Sequence, residues 1–150
     1  MTKLKRGALL ISSLAIVSGG AFAGQASPVV VDVDLDNMFA QGDMITARTS
    51  KDDEVFIGCG TRNFETSPGG PLFSWAFCQA RDTDGDAATC FTTNPELVKT
   101  IDAINSDSFI TYGWTDDGAG NLTCTRMGFS TQSFYLDKHT AGNARGNENK

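Results

Sequence analysis

Residues 81–90, RDTDGDAATC, join two β-rich segments and decide how the middle of the chain is expected to fold. Asp84-Gly85 is a preferred pair for a two-residue type I′ hairpin turn. With that turn at the centre, Arg81 faces Ala88, and a single β-bulge brings Cys78 opposite Cys90. The stretch therefore predicts a hairpin in which each arm carries one cysteine.

The same stretch also places Asp82, Asp84 and Asp86 at alternate positions, as at the start of an EF-hand calcium loop. Such a loop needs Gly at its sixth position and a bidentate Glu at its twelfth. This chain has Ala87 and Thr93 there instead. We therefore favour the hairpin turn and expect no cofactor, and calcium bound by the three aspartates is the alternative.

Runs of β-branched, aromatic and other apolar residues, bounded by turn residues, extend on both sides of this hairpin. They predict strands at residues 27–35, 44–49, 54–59, 72–81, 87–92, 108–115 and 122–129.

One helix is predicted after residue 92. Thr93 and Glu96 have capping-box spacing, and Pro95 suits a first helical turn. The four apolar residues Leu97, Val98, Ile101 and Ile104 then share one helical face. The expected fold is α+β and mainly β: an antiparallel sheet or small sandwich with one packed helix and two disulfides.

The first 23 residues have the features of a bacterial secretory signal peptide. A basic start precedes a short apolar run, and Ala21-Phe22-Ala23 is a small-x-small cleavage site. The run is too short to span a bilayer, and no membrane anchor is expected. Residues 24–136 would form a single domain, and residues 137–150, which are almost free of apolar side chains, a disordered tail. This order predicts a periplasmic or secreted protein.

The net charge limits the classes of partner. Removing the three positive charges of the signal peptide takes the formal net charge from −6 to −9. An acidic domain repels the phosphates of nucleic acids and anionic membrane surfaces. Neither is expected as a partner.

Four cysteines, Cys59, Cys78, Cys90 and Cys124, all follow the signal peptide. An even number in an exported chain indicates two disulfides, for which three pairings are possible. We prefer Cys78–Cys90 across the hairpin, which leaves Cys59–Cys124 between distant segments. A zinc site is the rival, although the wide spacings and the absence of a CxxC pair disfavour it.

Aromatic residues define two candidate binding strips. Phe73, Trp75 and Phe77 share one face of the strand at 72–81, and Tyr112 and Trp114 share a face of the strand at 108–115. If the two strands are neighbours, their aromatic residues form one broad surface. Such residues usually build a core, and the alternative is an exposed platform on which Trp75, Tyr112 and Trp114 bind a glycan or a protein.

A second acidic row, Asp32, Asp34 and Asp36, alternates with aliphatic residues in the strand at 27–35. Alternation places the carboxylates on one face of a strand. A solvated strand face is the preferred interpretation, and a site for a cation or a basic partner is the alternative.

Short motifs between residues 48 and 130 resemble those of a group of small exported bacterial proteins with an IGC…CxARDxxG…C…PxL…DS…CT pattern. The motifs are Ile57-Gly58-Cys59, Cys78-Gln79-Ala80-Arg81-Asp82 with Gly85, Cys90, Pro95-Glu96-Leu97, Asp107-Ser108 and Cys124-Thr125. The DTDGD turn departs from the pattern. The resemblance implies export and disulfides, and it carries no activity.

Catalysis has little support in the sequence. The single histidine, His139, lies in the expected tail, so devices that need an oriented imidazole beside a nucleophile are not expected. Two carboxylates suffice for a glycoside hydrolase, and a small carboxylate-dependent hydrolase therefore remains the alternative function. The preferred function is a non-catalytic exported protein that binds another protein or a surface glycan.

Overall fold

The computed structural model describes residues 25–136, so the expected signal peptide at 1–23 and tail at 137–150 lie outside the described residues. The strands are β1 (Asp32–Asp34), β2 (Phe39–Asp43), β3 (Phe56–Glu65), β4 (Leu72–Arg81), β5 (Ala87–Thr92), β6 (Phe109–Asp116) and β7 (Leu122–Ser130). The helices are α1 (Met44–Arg48) and α2 (Pro95–Asp102), and a 3-10 turn follows at Ser133–Tyr135.

The seven strands form one sheet in the order β1-β2-β6-β7-β5-β4-β3. The mainly β fold with a packed helix and two disulfides is thus confirmed. Among the described strands, five pairings are antiparallel, and β5 pairs with β7 in parallel where Phe91 faces Thr123. No helix within residues 25–136 is long and apolar enough to cross a membrane.

The hairpin between β4 and β5 forms, but its turn differs from the predicted one. Arg81 pairs with Ala87, and Cys78 lies opposite Cys90 without a bulge. The Asp82 N–H donates to the Asp86 carbonyl, so three residues rather than two make the turn. Gly85 is its left-handed residue, with φ of 90°. A three-residue turn ending in a left-handed glycine is the next common hairpin connection after the two-residue one.

The strand predicted at residues 44–49 is wrong, because these residues form helix α1. Asp43 is its N-cap and accepts a hydrogen bond of 2.6 Å from the Thr46 N–H. The Thr46 hydroxyl also donates to Asp43, at 2.6 Å. These capping bonds satisfy a free N–H of the first turn and outweigh the β propensity of the apolar residues there.

Helix α2 packs on one face of the sheet through Val98 and Ile101, which are both buried. We call this face, which carries the buried core residues, the inner face, and the opposite one the outer face. Its N-cap is Asn94, whose side chain accepts from the Glu96 and Leu97 N–H groups, so the predicted capping box at Thr93 is displaced by one residue. Strands β3, β4 and β7 all contact this helix.

The preferred disulfide pairing is wrong, because the bonds are Cys59–Cys78 and Cys90–Cys124. The four cysteines lie in a row across β3, β4, β5 and β7, which are consecutive in the sheet. Strands are spaced by about 4.8 Å, so Cys59 and Cys124 are separated by roughly 14 Å. A disulfide needs Cα atoms within about 7 Å. The two cysteines at the ends of the row, Cys59 and Cys124, therefore bond to their neighbours, Cys78 and Cys90.

Candidate functional site

The three aromatic residues proposed for binding do not form one surface. β4 and β6 are separated by β5 and β7, so Trp75 is distant from the other two along the sheet. Tyr112 and Trp114 point to the inner face, where they are 0% and 5% exposed. The core interpretation holds for these two residues, and the joint aromatic platform is wrong.

Trp75 belongs instead to a cluster on the outer face of β3, β4 and β5, which we call the aromatic face. Ring centroids of Trp75 lie 5.8 Å from Phe77 and 5.7 Å from Phe91. Phe73 and Phe64 pair at 5.2 Å next to them. Offset and tilted rings at these separations attract one another beyond simple burial. The aromatic face thus consists of Phe64, Phe73, Trp75, Phe77 and Phe91.

Much of this surface is open to solvent. Phe91 is 50% exposed, Phe64 49% and Phe73 41%, while Trp75 and Phe77 are half-buried. The Arg62 guanidinium lies 5.1 Å from the centre of the Phe77 ring. Contiguous exposed aromatic residues on a soluble domain usually mark a binding surface. The aromatic face therefore contains the candidate site.

Gly60 explains how the rings fit together. It faces Phe77 across β3 and β4, and a Cβ at this position would lie 3.1 Å from the Phe77 Cζ atom. The missing side chain allows Phe77 to lie against the β3 backbone. The Arg62 side chain lies at the same place, since its Nη1 atom would be 3.5 Å from that Cβ.

Two shallow grooves adjoin the aromatic face. The first, the aromatic groove, has a volume of about 360 Å³ and is lined by Phe73, Trp75, Phe91, Thr92, Thr93 and Thr123. The second, the threonine groove, has a volume of about 440 Å³ and is lined by Thr92, Thr93, Asn94, Leu97, Thr123, Cys124 and Thr125. They share three threonines and so form one continuous depression where β5 leaves β7 and enters α2.

The chemistry of this depression is distinctive. Within the described part of the chain, none of the residues that line either groove carries a charge, although the protein has a net charge of −6. Aromatic rings form one wall, and threonine hydroxyls and the Asn94 side chain are the polar groups. Such a site can stack an apolar surface and hydrogen-bond hydroxyl groups, and it offers no counter-ion to a charged ligand.

A further groove of about 470 Å³ lies on the other side of α2. Its charged residues are Lys99 and Asp102, and Asp102 accepts a hydrogen bond of 2.7 Å from the Thr61 hydroxyl. Across these three grooves Asp102 is the single carboxylate. A hydrolase of the expected kind requires two facing carboxylates, and these grooves contain no such pair.

The three aspartates of the hairpin turn have separate environments. Asp82 is buried, and its carboxylate accepts three backbone N–H bonds of 3.0 Å, from Val33, Asp84 and Asp86. Asp84 and Asp86 are exposed. Within residues 25–136, no group of three acidic, cysteine or histidine side chains could hold a metal ion. Through its hydrogen bonds, Asp82 links strand β1 to the turn between β4 and β5.

The row of Asp32, Asp34 and Asp36 lies at the edge of the sheet in and after β1. Asp32 and Asp36 are exposed, and Asp34 binds the side chain and the N–H of Asn37 at 2.7 and 2.8 Å. The Asn37 side-chain hydrogen bond, followed by its backbone N–H, lowers the pKa of Asp34 below its usual value. Asp34 therefore closes the turn between β1 and β2.

Sequence reasoning missed Phe91 and the threonines around it. The signal was present in AATCFT at residues 87–92, where buried and exposed positions alternate strictly. Cys90 points inward, so Phe91 must point outward, beside Phe77 of β4. Thr93 follows β5, whereas Thr123 and Thr125 belong to β7, and the strand order brings these two segments together.

Comparison of the chain with protein-family models, with curated proteins and with solved structures finds no match.

Proposed function

We propose that this protein has no catalytic role and binds a neutral glycan outside the cytoplasm, in the depression beside the aromatic face. The two disulfides are compatible with an exported protein. The observation that carries the proposal is the combination of an aromatic wall, several threonine hydroxyls and an uncharged lining in an acidic chain.

A sugar ring suits this combination because it has two chemically different surfaces. Its C–H face is apolar and packs against an aromatic ring, while its rim carries hydroxyl groups that need hydrogen-bond partners. Trp75 and Phe91 supply the aromatic wall, and Thr93 and Thr123 supply exposed hydroxyls beside it. The volumes of about 360 and 440 Å³ lie in the range of small-molecule sites.

A purely apolar protein segment is the main competitor for the same surface. It would use the rings but would leave the threonine hydroxyls without partners, which lowers affinity. Thr123 distinguishes the two ligands because both grooves include it. Replacing it with Val removes the hydroxyl and preserves the branched shape and the strand propensity.

The experiment is a screen of the disulfide-bonded protein against an array of neutral oligosaccharides, followed by titration calorimetry with those that bind. We expect binding to weaken at least about tenfold in Trp75→Ala and several-fold in Thr123→Val. Phe39→Ala is the matched control, because this ring lies on the outer face of β2, three strands away from β5.

Failure of every neutral glycan to bind, or equal binding by Trp75→Ala, would refute the proposal. Binding of an apolar peptide that is unchanged or strengthened in Thr123→Val would identify the surface as a protein-binding one instead.

A further inference from the structure

The free edge of β3 is a second candidate interaction site, next to the aromatic face. β3 has ten residues and ends the sheet, since its single neighbour in the strand order is β4. The opposite edge, β1, has three residues and carries Asp32 and Asp34. Natural proteins protect their edges by shortness and charge. β3 is not short, and its charged residues, Arg62 and Glu65, have opposite signs, so this edge remains able to pair.

The direction of the β3 backbone groups follows from the Cys59–Cys78 pair. These residues face each other with Cα atoms 4.0 Å apart, close to the separation of a non-hydrogen-bonded antiparallel pair. Residues at the same parity, Thr61, Asn63 and Glu65, therefore direct their N–H and C=O groups away from β4. Two contacts agree with this parity.

The first contact is that the Thr61 carbonyl accepts a hydrogen bond of 2.8 Å from the Arg62 side chain, so this carbonyl is not used by β4. The second is that the Thr66 N–H donates to the Pro71 carbonyl, which places even-numbered residues on the β4 side. Exposure also changes along the strand. Ile57 is buried, and residues 62–65 are all exposed. The open part of the edge is therefore its second half.

We propose that residues 61–65 pair antiparallel with the same residues of a second copy of this chain, centred on Asn63. In this register Arg62 of each copy faces Phe64 of the other, on the outer side of the joined sheet. Thr61 faces Glu65, and the two Asn63 residues face each other. The Arg62–Phe64 pairs would repeat the arginine–ring contact that Arg62 already makes with Phe77.

Other registers fit less well. Centring the pair on Arg62 opposes two positive charges in close non-hydrogen-bonded positions, which is destabilising. Centring it on Thr61 brings Ile57 into the pairing, and that part of β3 is buried. Centring it on Phe64 pairs only three residues of each copy, Asn63 to Glu65, because the strand ends at Glu65. The register centred on Asn63 uses five residues and opposes no like charges.

The test measures the mass of the oxidised protein by sedimentation equilibrium from about 10 μM to about 1 mM, where small interfaces associate. We expect a reversible monomer–dimer equilibrium. Asn63→Pro removes an edge N–H and leaves the β4 ladder intact, so it should give a monomer with an unchanged fold. Asn63→Ala keeps that N–H and should still dimerise.

Position 64 tests the register. In the dimer, each residue 64 faces Arg62 of the other copy, so Phe64→Glu creates two pairs of opposite charge and should tighten the dimer. Phe64→Lys creates two pairs of like charge and should weaken the dimer about tenfold. A monomer at all concentrations would overturn the proposal. So would a dimer that persists in Asn63→Pro, or equal weakening by Glu and Lys at position 64.

Discussion

Trp75 and Trp114 lie on opposite faces of the same sheet. Trp75 is on the outer side of β4, half-buried beside Phe91. Trp114 is on the inner side of β6, 5% exposed, and its ring lies 5.6 Å from that of Tyr112. The same side chain thus serves the candidate site in one strand and the core in another, and the two substitutions should have separable effects.

Trp114→Ala should lower the free energy of unfolding by about 3–5 kcal/mol, because it leaves a large cavity in the core. Trp75→Ala should lower it by a smaller amount, about 1–2 kcal/mol, since that ring is half-buried and lies at the outer face beside Phe77 and Phe91. Urea unfolding followed by circular dichroism measures both changes. Equal losses of stability in the two variants would contradict the assignment of the two faces.

The disulfides provide a second prediction. Non-reducing peptide mapping should link Cys59 to Cys78 and Cys90 to Cys124. The bonds close loops with sequence separations of 19 and 34 residues. In the chain-entropy model they contribute about 3 and 4 kcal/mol, so loss of Cys90–Cys124 should cost slightly more.

Paired Cys→Ala variants are suitable for this comparison, because each removes one bond without leaving a free thiol. A peptide that joins Cys78 to Cys90 would contradict the pairing Cys59–Cys78 and Cys90–Cys124.

Asp82 provides a third prediction, which concerns stability and calcium together. Asp82→Asn should lower the free energy of unfolding by about 1–3 kcal/mol, because its amide cannot accept all three N–H bonds at this buried position. Asp84→Asn is the control, with an exposed side chain and an expected change within about 0.5 kcal/mol. Calcium should leave the melting temperature unchanged. A calcium-dependent increase that disappears in Asp84→Ala would instead support the calcium loop.

Tyr112 predicts how the stability changes at alkaline pH. Burial raises the pKa of its hydroxyl well above the ordinary value near 10, and this hydroxyl donates 2.8 Å to the Ala88 carbonyl. The folded protein keeps the proton, whereas the unfolded chain loses it near pH 10. The stability from this group is therefore complete below pH 10 and declines as the pH rises further.

Tyr112→Phe tests this coupling. It should cost about 1–2 kcal/mol at neutral pH, because the Ala88 carbonyl loses its donor, and it should flatten the decline above pH 10. Urea unfolding at several pH values measures both effects. An equally steep decline in the variant would assign the pH dependence to other groups.

Much of the local structure was predictable from the residues. The alternation in 72–81 and 87–92 predicted β4 and β5 at their observed bounds, and the apolar spacing at Leu97, Val98 and Ile101 predicted α2. Failures occurred where a polar contact overrides propensity. At residues 44–49, the cap supplied by Asp43 converts a β-favouring run into a helix.

The site was predictable in part. Because side chains alternate along β4, Trp75 and Cys78 point to opposite faces of the sheet. An inward Cys78 therefore requires an outward Trp75. Alternation does not state which strands are neighbours. Placing Tyr112 and Trp114 beside Trp75 required β6 next to β4, and the sheet instead inserts β7 and β5 between them.

By itself, the sequence determined the local properties of this protein: strands and a helix, a turn at residues 82–86, and an even set of cysteines. The strands, the helix and the turn follow from contacts between residues near each other in the chain, and the number of cysteines is read directly from the composition. The tertiary structure decided the partners of Cys78 and which aromatic residues lie beside Trp75, because both depend on strand order. RDTDGDAATC places Cys78 and Cys90 opposite each other, as expected, but β3 and β7 supply the cysteines to which they bond.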